Sequence, residues 1–143
     1  MADVHSSETR SYNMSRIKGK DTRPEELVRK YLFSKGFRYR KNDIRLPGKP
    51  DIVLPKYHTC IFVNGCFWHG HTGCKYFVWP KNNEEFWRSK IIGNIERDSK
   101  QHKELETLGW KVLVVWECEL KKSVKNQTLE RLVRKLCDSN RNT

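Results

Sequence analysis

The stretch from position 64 to position 74 reads Asn64-Gly65-Cys66-Phe67-Trp68-His69-Gly70-His71-Thr72-Gly73-Cys74 and packs two thiols, two imidazoles, two adjacent aromatic rings and three glycines into one short loop. No ordinary core segment needs that mixture. Cysteine and histidine are natural zinc ligands, and glycines let a backbone turn tightly enough to bring such ligands to one point. Cys66, His71 and Cys74 offer three ligands close in sequence, and Cys118, at the end of a distant apolar run, can complete a tetrahedral set of three cysteines and one histidine. Spacing leaves both His69 and His71 within reach. Four protein ligands would make the zinc structural, and its binding energy would contribute directly to folding.

The remainder of the chain reads as a scaffold for this loop. Thr22-Arg23-Pro24-Glu25 starts a helix, with Thr22 as cap, Pro24 in the first turn and Glu25 able to reach back in a capping box. Leu27, Val28, Tyr31 and Leu32 give it a buried stripe, and Gly36 ends it. A strand is predicted over residues 37–40. The turn signal Leu46-Pro47-Gly48-Lys49-Pro50 then delivers the chain into Asp51-Ile52-Val53-Leu54, so Asp51 stands at the mouth of an apolar strand. Cys60-Ile61-Phe62-Val63 is a second apolar run, and the loop hangs from its end.

A long helix is predicted over residues 84–108, with Trp87, Ile91, Ile95, Asp98, His102 and Leu105 at helical spacing. Lys90, Asn94 and Asp98 follow at four-residue steps on one face, which spacing alone reads as a solvated face. Lys111-Val112-Leu113-Val114-Val115-Trp116 has the near-continuous apolar character of a central strand covered on both faces. A helix over residues 128–137 closes the chain, with Cys60 and Cys137 read as small buried side chains. This order implies an α/β layered domain with a central mixed sheet.

At 143 residues the chain suits one domain with one core. We divide it into a basic N-terminal arm at 1–20, a folded domain at 21–138 and a short tail at 139–143. Lysine and arginine number 29 against 17 acidic residues, a formal charge of +12 that favours an anionic partner such as nucleic acid over a membrane surface. No apolar run approaches the roughly 20 residues needed to span a bilayer, and Met1-Ala2-Asp3-Val4-His5 lacks the features of a secretory signal. A cytoplasmic protein is expected, with its five cysteines reduced or metal-bound. Phe67 and Trp68, beside the metal ligands, are hard to bury. In a protein of this charge they suggest stacking on or wedging between bases, with packing on Trp79, Phe86 or Trp87 the ordinary alternative.

Several separated motifs, in order, resemble the very short patch repair endonucleases, bacterial enzymes that nick DNA at mismatches. They are Arg10-Ser11-Tyr12-Asn13-Met14, Leu46-Pro47-Gly48-Lys49-Pro50-Asp51, Gly65-Cys66-Phe67-Trp68-His69-Gly70-His71, Asn94-Ile95-Glu96-Arg97-Asp98, Leu108-Gly109-Trp110-Lys111-Val112 and Val115-Trp116-Glu117-Cys118. The resemblance implies a restriction-endonuclease-like three-layer domain. It implies that Asp51 ligates catalytic magnesium, with the main-chain carbonyl of Val63 a second contact and Glu25 assisting through water. It makes His69 the proton-transfer group, Asp98 its supporting carboxylate, and His71 the histidine that joins Cys66, Cys74 and Cys118 at zinc. Lys90 and Asn94 would read the mismatched pair. Phe67, Trp68 and Trp87 would form a wedge from the major groove, with Met14 and Ile17 entering from the minor-groove side.

Three departures from the family pattern bear on these roles. Asn64 stands where the pattern has a histidine; asparagine hydrogen-bonds but does not exchange protons near neutral pH, so His69 carries more of the proton transfer. The spacing from His71 to Cys74 is one residue longer, which Gly73 accommodates. Phe62-Val63-Asn64 lacks the second acidic motif usual in this nuclease fold. The implied activity is a magnesium-dependent nick 5′ to the thymine of a T:G mismatch arising from deamination of 5-methylcytosine. A monomer acting on the bacterial nucleoid is implied, with mismatch-repair helper proteins as further candidate partners. The alternatives are a zinc-stabilised DNA-binding module without catalysis, and a nuclease of the same fold acting on another lesion or site.

Overall fold

The computed structural model describes residues 22–141, so the arm with Met14 and Ile17 lies outside the described residues. Helix α1 (Arg23–Ser34) starts where the sequence places it: Thr22 Oγ1 accepts the Glu25 N–H at 3.4 Å, and Pro24 sits in the first turn. It stops at Lys35, after which Gly36 at φ +90° lets the Phe37 N–H return to the Leu32 carbonyl at 3.0 Å. Strand β1 (Arg40–Lys41) is shorter and later than expected, because Phe37 is buried beside Tyr57, ring centroids 5.3 Å apart, instead of entering a ladder.

Strands β2 (Ile52–Leu54), β3 (Thr59–Asn64) and β4 (Lys111–Trp116) complete a four-stranded sheet in the order β1-β2-β3-β4. The first three run antiparallel, and β3 and β4 run parallel, which makes the sheet mixed. Helix α2 (Glu84–Thr107) supplies the crossover between β3 and β4 that a parallel pair requires, and helix α3 (Lys125–Arg141) follows β4.

Side chains alternate across the sheet. Ile61 and Val63 of β3 and Leu113 and Val115 of β4 join Val28, Leu32, Leu129, Leu132 and Leu136 from α1 and α3 in one core. Cys60 and Phe62 face the other way with Val53, where Leu105 of α2 meets them. The result is helix, sheet, helix in three layers. β4 differs from expectation. It lies at the edge of the described sheet and its burial alternates, since Val112 and Val114 are only half-covered on the α2 side. Cys137 also differs. It is exposed, while Leu132, Val133 and Leu136 form the packed stripe of α3. Cys60 is buried as expected, and its thiol is pushed up to about 12 by burial. Among the described residues no helix is long and apolar enough to cross a membrane.

Candidate active site and metal centre

The parallel register of β3 and β4 builds the metal centre. Asn64 pairs with Trp116 as the last rung, so Cys66 and Cys118 each follow two residues beyond it at the same end of the sheet. The Cys118 N–H approaches Cys66 Sγ at 3.3 Å, and Cys118 Sγ lies 3.4 Å from His71 Nδ1. Cys74 completes the group: one ligand atom from each of Cys66, His71, Cys74 and Cys118 falls within 4.8 Å of the others. The cluster could hold a metal ion, and three thiols with one imidazole match the closed donor set of a structural zinc site. Of the two candidate histidines, His71 is the one in the cluster. Its ring stacks on Trp116 at 4.0 Å and 4°. Burial pushes the Cys66 thiol up to about 12 and raises Cys118 as well, so a metal entering here must displace protons.

The loop is pinned at a second point. Gly70, at φ +59°, lies so close to α2 that a Cβ there would sit 2.7 Å from Ile95 Cδ1 and 2.9 Å from Ile91 Cγ2. Just before it, His69 Nδ1 lies 2.6 Å from Asp98 Oδ2 on α2, and Asn94 one turn earlier donates its side-chain N–H to the Trp68 carbonyl at 2.9 Å. Two of the three residues spaced along this helix face therefore hold the loop, while Lys90 is exposed. The four-residue step that reads as a solvated face is a loop-docking face, a distinction sequence spacing does not carry.

Asp51, one residue before β2, reaches across to β3 and accepts the Val63 N–H on Oδ2 at 2.7 Å. Its carboxyl is raised to about 7: burial is the largest cause, the neighbouring Glu25 carboxylate adds to it, and the Val63 N–H and His69 oppose it. Glu25 is buried, with Arg29 Nη1 3.4 Å from its Oε2. The Glu25 backbone N–H is capped by Thr22, but its side chain does not close the expected capping box and turns inward beside Asp51. Two carboxyls sharing one small space, one of them holding a proton near neutrality, suit a hard divalent cation.

Asp51, Glu25, His69 and Asp98 all line one cleft of about 710 Å³, whose wall includes Phe67 and Trp68. Asn64 is buried and borders both this cleft and an adjoining one of about 590 Å³ lined by His69, Asp98 and His102. Sequence inspection gave no role to His102, which packs on Phe62 at 4.6 Å between ring centroids and is held below the usual histidine range by burial. Of the two readings of the aromatic residues, the structure shows the packing one. Phe67, Trp68 and Trp87 pack mutually, with centroids 5.3 to 5.7 Å apart, and all three remain half-exposed.

A family model described as DNA mismatch endonuclease Vsr matches residues 2–75. The chain is 54% identical over 140 residues to the type II nicking enzyme V.NmeAIP of Neisseria meningitidis serogroup A, covering 97% of this chain and 99% of that protein. It is 47% identical over 120 residues to the type II nicking enzyme V.XorIIP of Xanthomonas oryzae, covering 84% and 88%. Against the DNA mismatch endonuclease Vsr of Escherichia coli it is 44% identical over 140 residues, covering 96% and 89%. With a family model matching half its length and full-length relatives well above 30% identity, the chain belongs to the Vsr family of DNA mismatch endonucleases.

Proposed function

We propose that this chain is a magnesium-dependent endonuclease that nicks one strand of duplex DNA 5′ to the thymine of a T:G mismatch, the product of 5-methylcytosine deamination. One observation carries the reading: the carboxyls of Asp51 and Glu25, the His69 and Asp98 pair, and the half-exposed Phe67 and Trp68 all line the same cleft. Asp51, with the Val63 carbonyl and Glu25, would hold magnesium. When bound, the ion supplies charge neutralisation at the scissile phosphate and support for the departing sugar oxygen.

The chain's own groups do the rest. With its Nδ1–H donated to Asp98, His69 keeps a lone pair on Nε2 to accept the proton of the attacking water. Asp98 fixes that tautomer and favours the charged ring that results. Asn64, buried beside them, orients by hydrogen bonding and takes no proton. Phe67, Trp68 and Trp87 enter the base stack as a wedge, whose unstacking cost of a few kcal/mol is smallest at a step already weakened by a mismatch. Lys90 and Asn94 read the mismatched pair from α2, Asn94 while holding Trp68. Zinc at Cys66, His71, Cys74 and Cys118 keeps the loop in shape. The protein acts as a monomer in the bacterial cytoplasm.

The test is a nicking assay with purified protein and magnesium over duplexes carrying each mismatch in varied flanking sequences. Nicking confined to T:G supports the proposal, and no nicking in any context removes it. A second reading, a DNA-binding module without catalysis, is favoured by Asn64. It requires that Asp51→Ala leave both DNA affinity and cellular mutation rate at wild-type values.

A further inference from the structure

Beside the metal centre stand two lysines that neither the nuclease chemistry nor the wedge employs. Lys75 directly follows the ligand Cys74, and Lys121 lies three residues after the ligand Cys118. Because the cluster draws Cys74 and Cys118 together, the two lysines converge. Lys121 Nζ is 4.9 Å and Lys75 Nζ 5.2 Å from the centroid of the same ring, that of Tyr76. Both side chains border a cleft of about 440 Å³ that Thr72, Tyr76 and Ser123 also line and that no carboxylate of the described residues lines. Glu119, the acidic residue nearest Lys121 in sequence, is turned away, its Oε1 accepting the Trp116 N–H at 2.9 Å. Neither lysine has an acidic partner within 4.0 Å among the described residues.

Two ammonium groups over one ring, with no carboxylate partner among the described residues, are held there by no more than the weak attraction of an exposed lysine to an aromatic face. An arrangement of this kind is completed by an anion. We propose that Lys75 and Lys121 form a clamp for a backbone phosphodiester of duplex DNA, seated over Tyr76 beside the metal centre. Tyr76 keeps the ammonium groups raised at the rim, and its hydroxyl, with those of Thr72 and Ser123, offers hydrogen-bond donors to the phosphate oxygens. The clamp rests on the reading of this protein as a DNA enzyme. Its contribution is independent of base sequence, since a phosphate contact fixes position and carries no sequence information.

The test is the salt dependence of duplex affinity, measured by fluorescence anisotropy without magnesium so that nothing is cut, between about 50 and 200 mM salt. Each lost phosphate contact reduces the steepness of the fall of log affinity with log salt by about 0.9. Lys75→Gln and Lys121→Gln are each expected to reduce it in part, and the double variant, which loses the one clamped phosphate, by about 0.9. The loss should be the same on T:G and matched duplexes. Lys56→Gln serves as control. Lys56 stacks on Tyr57 at 5.9 Å in the same manner, but in the turn after β2, at the opposite end of that strand from Asp51, and should leave the slope unchanged.

An unaltered slope in the double variant, with melting temperature and zinc content at wild-type values, overturns the clamp. So does saturable binding of inorganic phosphate that the double variant abolishes while the DNA slope stays at the wild-type value, because the site would then serve a free anion. Failure of the wild-type protein to bind any duplex would instead overturn the endonuclease proposal, so the two failures are distinct.

Discussion

His69 Nδ1 lies 2.6 Å from Asp98 Oδ2, although the two residues are 29 positions apart. The contact joins the metal-centre loop to α2 and fixes which imidazole nitrogen is left for the cleft. His69→Ala is expected to lower the single-turnover nicking rate by about 10² to 10⁴. Asp98→Asn should cost less, and the double variant should lose little beyond His69→Ala, since Asp98 acts through the imidazole. Additive losses in that cycle would separate the two residues.

Asp51 gives a pH dependence of stability with a defined sign. Its pKa is raised in the fold from 3.8 to about 7, chiefly by burial. Between those values the folded protein holds a proton that the unfolded chain has released, so metal-free stability falls as pH rises through this window. Asp51→Asn keeps an acceptor for the Val63 N–H and removes the charge. It should be more stable than the wild type at pH 8, by on the order of 1–3 kcal/mol, and nearly equal to it at pH 4. Magnesium should raise the melting temperature of the wild type at pH 8 and not that of the variant. Parallel melting curves across the pH range would remove Asp51 from this role.

Cys118→Ser should lower zinc content and folded yield together, because ligand loss opens a site whose binding energy is folding energy. Zinc added to metal-free wild type in weak buffer should acidify the solution, as the raised Cys66 thiol gives up its proton. Normal metal stoichiometry in the variant would exclude Cys118 as a ligand.

Gly70 and Gly73 both have positive φ, +59° and +75°, but only Gly70 meets neighbours, in Ile91 and Ile95. Gly73→Ala should cost about 1–2 kcal/mol for the backbone alone. Gly70→Ala adds overpacking against α2 and should cost a further 1–3 kcal/mol or so, with a loss of nicking as the loop lifts. Thermal melts of the two variants make the comparison, and equal costs would show that the loop does not rest on α2.

Asn64→His places a titratable ring between the two clefts. The pH-rate profile should gain an ionisation near neutral pH; an unchanged profile would show that the position takes no part in proton transfer.

Much of this arrangement was legible in the sequence, where a local pattern determines it. Thr22 and Pro24 marked the start of α1, the apolar run ending at Val63 marked β3, and the cysteine and histidine spacing narrowed the metal ligands. What spacing could not resolve was decided by tertiary contact. The choice of His71 over His69 depends on where Trp116 stacks and on Asp98 engaging His69. Glu25 read as a capping residue because its partner, Asp51, is distant in sequence. β4 read as central because Val112 and Val114 are apolar, although their cover from α2 is partial and the strand lies at the edge of the described sheet. Cys137 is apolar enough to count in the stripe of α3, yet falls just off it.

The rung that pairs Asn64 with Trp116 also sets where the chain tolerates a change of length. Cys66 and Cys118 are each counted off from that rung, so one residue inserted between rung and thiol would displace the ligand from the cluster. Between His71 and Cys74 no such register exists, and Gly73 bends in open space. Insertions and deletions that keep the metal should therefore collect in the glycine turn and be absent from the two short tethers after the strands.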